Sequence, residues 1–191
     1  MKLIFATHND HKLDEVRLIL GRENSISGLK EIGFFESINE TGSTLKENSL
    51  IKAKFVYEKF NHNCFSEDTG LEVEALDNQP GVFSARFAGD EKNSEKNIQK
   101  LLSLLKNKKN RKARFRTVVT LIYDNKFYFI EGKVNGLILH KKRGVNGFGY
   151  DPIFCPLGSN KSFGEISQNQ KNLISHRSIA FSKLKKLIQN I

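Results

Sequence analysis

Two distant segments of the chain carry residue types that could do phosphate chemistry. Thr7-His8-Asn9-Asp10-His11-Lys12 offers hydroxyl, amide and ammonium groups at the end of an apolar run, and Ser66-Glu67-Asp68-Thr69-Gly70 offers adjacent carboxylates. The first set suits phosphate oxygens, and the second suits a hard divalent cation that prefers oxygen ligands. Together they read as a metal-dependent phosphate site. His8 and His11 stand three apart, but no third ligand follows, so they read as exposed side chains rather than a metal pair. Each segment also has a plainer reading: a lone Glu-Asp pair is usually a solvated acidic turn, and Asn9 or Asp10 could simply cap a helix with Lys12 exposed.

The elements that must position these residues follow from periodicity. Lys2 to Thr7 reads as a short buried strand, and His11 to Leu20 as a helix with Leu13, Val16 and Leu20 on one face and Gly21 as its stop. Thr7 to Lys12 thus lies at a strand-to-helix junction, where a helix N-terminus points free N–H groups at an anion. Thr44-Leu45-Lys46-Glu47 is a capping box opening a helix that runs to about Phe60. A strand through Cys64 and Phe65 then leads into the acidic segment, which places Asp68-Thr69-Gly70 at a strand end.

Further on, Ser94 to Lys106 is amphipathic, with Ile98, Leu101, Leu102 and Leu105 on one face. Ala113 to Tyr123 and Lys126 to Val134 flank an Asp124-Asn125-Lys126 turn and predict a long antiparallel hairpin, so the sheet is mixed. Leu137 to His140 predicts one more short strand. Arg143 to Pro152 is a glycine-rich loop presenting Phe148 and Tyr150. The last helix runs from Ser175 to about Ile188 and puts His176 and Arg177 in its first turn, where the macrodipole disfavours cations. Arg177 there implies an acceptor beyond the helix.

Composition bounds the class. The chain has 191 residues with no Pro/Gly/Ser linker, so residues 1–191 are expected to form one domain. The first apolar stretch, Leu3 to Ala6, is too short for a signal segment or a membrane span, which predicts a cytoplasmic protein with no membrane partner. Cys64 and Cys155 are too few for a disulfide framework and read as packing residues. A net charge of +10 favours an anionic partner without choosing one. Much of the excess falls in Lys106 to Arg116 and in Lys183, Lys185 and Lys186, without the aromatic interleaving of a nucleic-acid platform. Both stretches read as solvated, and no stable nucleic-acid partner is expected.

With these segments in order, the chain resembles a known family over essentially its whole length. Thr7-x-Asn9-x-x-Lys12, Ser66-Glu67-Asp68-Thr69-Gly70-Leu71, Phe148-Gly149-Tyr150-Asp151-Pro152 and Ser175-His176-Arg177 are similar to the signatures of the inosine triphosphatase-like pyrophosphatases, also called XTP/dITP diphosphatases. Pro80-Gly81-Val82-Phe83-Ser84-Ala85-Arg86 and Phe163-Gly164-Glu165-Ile166 fit the same pattern. The resemblance implies hydrolysis of ITP, dITP and XTP between the α- and β-phosphates, giving the monophosphate and pyrophosphate and so clearing deaminated purines from the nucleotide pool. It implies a mixed α/β fold with a long central sheet, helices in two lobes and a cleft between them, usually as a homodimer.

Site residues follow from the same resemblance. Asp68 would be the general base and a contact for Mg²⁺, and Glu40 the other metal carboxylate, with Glu36 and Glu47 as neighbouring candidates and Glu47 better explained as the capping-box partner. The segment Thr7, His8, Asn9, Asp10, His11 and Lys12 would take the phosphate tail, Lys12 as its point charge, joined by Thr69. Phe148 would stack on the base within the Phe148, Gly149, Tyr150 and Asp151 loop, with Asp151 and Lys171 as polar contacts. His176 and Arg177 would donate to the 6-oxo group, which rejects adenine because adenine leaves a buried donor unpaired. Glu67 departs from a commoner Asp, Thr69 from a commoner Ser, and Ile26 to Ile38 shows no matching motif.

Two rival readings are a Maf-like pyrophosphatase acting on modified pyrimidine nucleotides and, from the charge, a nucleic-acid-binding module. The chain lacks GxxxxGK[ST] and has no GxGxxG after its first strand, which removes kinase and dehydrogenase readings.

Overall fold

The computed structural model describes residues 1–21 and 23–191. Six strands, β1 (Lys2–Phe5), β2 (Ser25–Gly28), β3 (Cys64–Val73), β4 (Lys112–Tyr123), β5 (Lys126–Ile138) and β6 (Phe154–Pro156), form one sheet in the order β2-β1-β3-β4-β5-β6. β1 runs parallel to β2 and β3, and β5 runs antiparallel to β6, so the sheet is mixed as expected. The helices are α1 (Asp10–Leu20), α2 (Leu45–Phe60), α3 (Ser94–Leu104), α4 (Gln168–Ile174) and α5 (His176–Ile188).

The chain clusters into two compact units, Met1–Asp68 with Thr117–Gly132 and Arg177–Ile191, and Thr69–Arg116 with Lys133–His176. In the first, β1 is buried on both faces, as suits a parallel central strand. Leu3 and Phe5 join Val16, Leu20, Phe65, Phe181 and Leu184, whereas Ile4 and Ala6 join Ala53, Val56 and Cys64. The period-two alternation of side chains therefore sets α1 and α5 against one face and α2 against the other. In the second unit Ile98, Leu101 and Leu105 pack with Leu71, Val73, Phe115, Phe154 and Phe163.

Three expectations need correction. Asp68-Thr69-Gly70 does not end a strand, because β3 continues to Val73 and is buried along nearly its whole length. Its polar residues masked a strand whose charges are met by partners distant in sequence. Leu137 to His140 is not a separate strand: Leu137 and Ile138 finish β5, paired to Cys155 and Phe154 of β6. Finally, Arg111 is not solvated; its guanidinium donates to the carbonyls of Ile138 at 2.5 Å, Leu105 at 3.1 Å and Leu139 at 2.7 Å, tying the end of α3 to β5.

Candidate active site

The start of α1 is built locally. Asn9 is its N-cap, with Oδ1 accepting from the Lys12 N–H at 3.1 Å, while the Asn9 N–H donates to Thr7 Oγ1 at 3.1 Å. Thr7 and Asn9 thus brace the junction itself, and Asn9 spares one orphan donor of the first turn. His8 hydrogen-bonds through Nε2 to the Phe34 carbonyl at 3.1 Å, and Asp10 pairs with Lys30 at 2.7 Å. His11 is exposed. Of this segment the side chain that turns inward is Lys12.

Lys12 Nζ lies 2.8 Å from Glu67 Oε1. Glu67 in turn meets Arg177, whose Nε is 3.1 Å from Oε2, and Arg177 Nη1 reaches Glu15 Oε2 at 2.8 Å. Arg177 is 2% exposed and Glu67 likewise 2%. Burial alone would push the Glu67 carboxyl up, but Arg177 and Lys12 hold it far below the ordinary carboxylate range. Two carboxylates and two cations make this cluster neutral. The acceptor that the position of Arg177 implied is therefore a pair of buried carboxylates.

One residue along β3, Asp68 points to the other face of the sheet. Lys52 of α2 lies 3.6 Å from Asp68 Oδ1 and 3.1 Å from Glu40 Oε2, so one ammonium is shared by two carboxylates. Burial raises the Asp68 carboxyl pKa, which Lys52 opposes and Glu40 reinforces. Negative charge exceeds positive here by one. That surplus on oxygen donors fits a hard divalent cation, which needs only one or two carboxylates and keeps its own waters. α2 is fixed against the sheet by a buried hydroxyl cluster: Ser49 Oγ donates to Thr120 Oγ1 at 2.8 Å and is 3.0 Å from Ser66 Oγ, which itself bonds the Ser49 carbonyl.

In the second unit, Lys171 Nζ lies 2.6 Å from Asp151 Oδ2, both nearly fully buried, and 4.6 Å from the centroid of the Phe148 ring. The Phe148 N–H donates to the same Asp151 oxygen at 2.8 Å. Gly147 has a φ of +74°, and a Cβ there would collide with the Asp151 carboxylate, so the loop can close on Asp151 only with glycine at this position. Phe148 is left 46% exposed above Lys171. Tyr150 is buried, donating to the Ser84 carbonyl at 3.0 Å, and His176 stacks on Phe115 with centroids 4.6 Å apart. Gly149 is half-buried, as is Thr69.

The expected residues thus gather as Lys12 with Arg177, Glu40 with Asp68, and Phe148 with Asp151 and Lys171. His8 and Asp10 are engaged elsewhere. Glu15, Asn48 and Lys52 were not anticipated. Lys52 carried a usable signal, since it lies two turns along α2 from the capping box and interrupts a stripe of buried residues.

The first unit thus carries paired carboxylates on one face of the sheet and a lysine-bearing helix start on the other, residue types that suit a hard cation and phosphate. The chain belongs to the Ham1 family, whose model matches residues 3–187. It is similar to the dITP/XTP pyrophosphatase of Porphyromonas gingivalis, 52% identical over 96% of this chain and 95% of that one. The dITP/XTP pyrophosphatase of Bacillus subtilis is 43% identical over 97% and 96%. Among solved structures, the Staphylococcus aureus Ham1 protein aligns with a TM-score of 0.92 at 36% identity, covering 100% of this chain and 99% of that one. A HAM1 protein from Coxiella burnetii aligns at 0.94 and 33%, covering both chains completely. The chain is accordingly an enzyme of the hydrolase class, a pyrophosphatase. Among the described residues no helix is long and apolar enough to cross a membrane.

Proposed function

We propose that residues 1–191 form one catalytic domain that hydrolyses ITP, dITP and XTP to the monophosphate and pyrophosphate with Mg²⁺, as a homodimer in the cytoplasm. The observation that carries this reading is the carboxylate pair Glu40 and Asp68 meeting at one ammonium, on the same unit as Lys12 at the start of α1. The names of the relatives supply the substrate class.

Glu40 and Asp68 would hold Mg²⁺, which when bound neutralises phosphate charge and lowers the pKa of water. Asp68, its affinity for a proton raised by burial, takes the proton of the attacking water. Oxygen adds to the α-phosphorus, the α–β anhydride bond breaks, and its electron pair leaves with pyrophosphate. Lys12 and the braced N-terminus of α1 bind the tail, with Thr69 adding a hydroxyl. Lys52 holds Glu40 and Asp68 against each other's charge before the cation arrives.

For the base, Phe148 offers its exposed face for stacking, while Asp151 and Lys171 fix the loop beneath it. His176 and Arg177 are the proposed readers of the 6-oxo group. Arg177 places one N–H of each guanidinium nitrogen on Glu67 or Glu15, so a base carbonyl would share the guanidinium with two buried carboxylates.

The test is pyrophosphate release from ITP, XTP, dITP, GTP and ATP, with Mg²⁺ and with chelator, scoring orthophosphate separately. Metal-dependent pyrophosphate from ITP and XTP with little from ATP is expected. Orthophosphate as the product, or equal turnover of ATP, would overturn the reading.

A further inference from the structure

Asn48 lies in the first turns of α2 with no exposed surface. The helix start does not require it, because Thr44 and Glu47 already complete the capping box. Its Oδ1 accepts from the Gly42 N–H at 2.8 Å, two residues after Glu40. Gly42 sits so close to the helix that a Cβ on it would lie 2.7 Å from Asn48 Oδ1 and 2.9 Å from Asn48 N. The turn carrying Glu40 is therefore clipped to α2 through one side-chain amide.

Committing Oδ1 fixes the amide plane and hence the direction of Nδ2. That donor is buried, makes no well-formed hydrogen bond among the described residues, and lies against the Asp68 carboxylate, whose charged form it favours. A buried amide donor that is poorly paired is unfavourable, so space-filling alone does not favour an amide here. The Gly42 contact needs only an acceptor, so it accounts for Oδ1 but not for the donor at the other end of the amide. One helical turn on, Lys52 occupies the same face and touches both Glu40 and Asp68.

We propose that Asn48 is a positioning residue for the cation site, its Oδ1 holding the Glu40 turn on α2 and its Nδ2 facing Asp68, so that the two carboxylates stay within reach of one ion. This rests on the reading of Glu40 and Asp68 as the metal carboxylates.

The experiment measures Mn²⁺ binding to the full, nucleotide-free chain by titration calorimetry, with hydrogen exchange at the Gly42 amide and thermal unfolding alongside. Asn48→Leu keeps the shape without either polar group and should weaken Mn²⁺ binding by about 10- to 100-fold, the usual effect of losing an outer-shell partner. The Gly42 amide should lose its protection in the same variant. Asn48→Asp keeps an acceptor for Gly42 and should keep that amide protected. Gly42→Ala wedges the same contact from the other side and should reproduce the loss with Asn48 intact, which carries the test if Asn48→Leu does not fold. Wild-type Mn²⁺ affinity in Asn48→Leu and Gly42→Ala, with Asp68→Asn weakened, would overturn the role of Asn48 and leave the site reading standing. Absence of Mn²⁺ binding in the wild type, or its persistence in Asp68→Asn, would instead bring down the carboxylate reading and this role with it.

Discussion

The guanidinium of Arg177 lies side-on against the carboxylate of Glu67, with Nε 3.1 Å from Oε2 and Nη2 3.2 Å from Oε1. Its remaining nitrogen is 2.8 Å from Glu15, so every arm of a buried arginine is used. Lys12 completes the group from the other side of Glu67. The lysine proposed for phosphate is thus held by a carboxylate that is itself clamped.

Arg177→Met should strip the compensating charge from two buried carboxylates and lower stability by about 3–5 kcal/mol, measured by urea unfolding. Glu15→Gln, which keeps an acceptor, should cost less. A stability within about 0.5 kcal/mol of wild type for Arg177→Met would show that the cluster is better hydrated than its burial indicates. If Arg177 also reads the base, the folded fraction of this variant should show a smaller ITP-over-ATP preference; an unchanged ratio places discrimination elsewhere.

Asp68→Asn is nearly isosteric and should leave folding intact while lowering pyrophosphate release by about 100-fold or more, the range of a lost general base. Circular dichroism checks the first half and a pyrophosphate assay the second. Near-normal turnover would remove Asp68 from the base role.

Lys12→Gln should raise KM for ITP by about 10- to 100-fold, equivalent to a charged hydrogen bond of about 1.5–3 kcal/mol. Inorganic pyrophosphate should lose inhibitory power in parallel. Were KM and pyrophosphate inhibition both unchanged, Lys12 would be a structural partner of Glu67 only.

Phe148→Ala should weaken ITP binding by about 1–3 kcal/mol, the scale of one base-on-aromatic stack. Inhibition by inorganic pyrophosphate, which has no base, should stay at the wild-type level. Equal loss for both ligands would mean that the loop, rather than the ring, had been damaged.

Alkaline pH should destabilise the protein through two buried acids. Burial pushes the Cys64 thiol up to about 12 from an ordinary value of 9.0, and it raises the Tyr150 phenol as well. Both pKa values are higher in the folded state, so their stabilising contribution is complete below the unfolded values and is lost as pH rises through and beyond them. The urea midpoint should fall as pH rises from about 9 towards about 12, and Cys64→Ala with Tyr150→Phe should flatten that fall. An equally steep decline in the double variant would assign it to other groups.

Local chemistry made the helix starts legible: Asn9, the Thr44 and Glu47 pair, and Gly21 act within a few residues of the ends they define. β3 was misread beyond Phe65 because Glu67 and Asp68 look solvated until Lys12, Lys52 and Arg177 are brought to them from other elements. For the same reason nothing local marks Glu15 or Asn48 as part of a site. β2 has a single apolar residue, Ile26, where the equally short β1 has three in a row, and β6 at 3 residues is too short for periodicity to register. α4 did have a signal, the Ser167 and Gln170 capping box, and its value is that it carries Lys171.

The hydroxyls of Ser49, Ser66 and Thr120 bear on how this enzyme can be altered. Methyl groups in their place would pack almost as well but would let α2 slide or rotate against the sheet, because dispersion contacts have no preferred direction. Hydroxyls accept only one alignment. They act as an index mark between helix and strand, and a variant that replaces all three with alanine or valine could keep its melting temperature while Lys52 drifts out of step with Asp68.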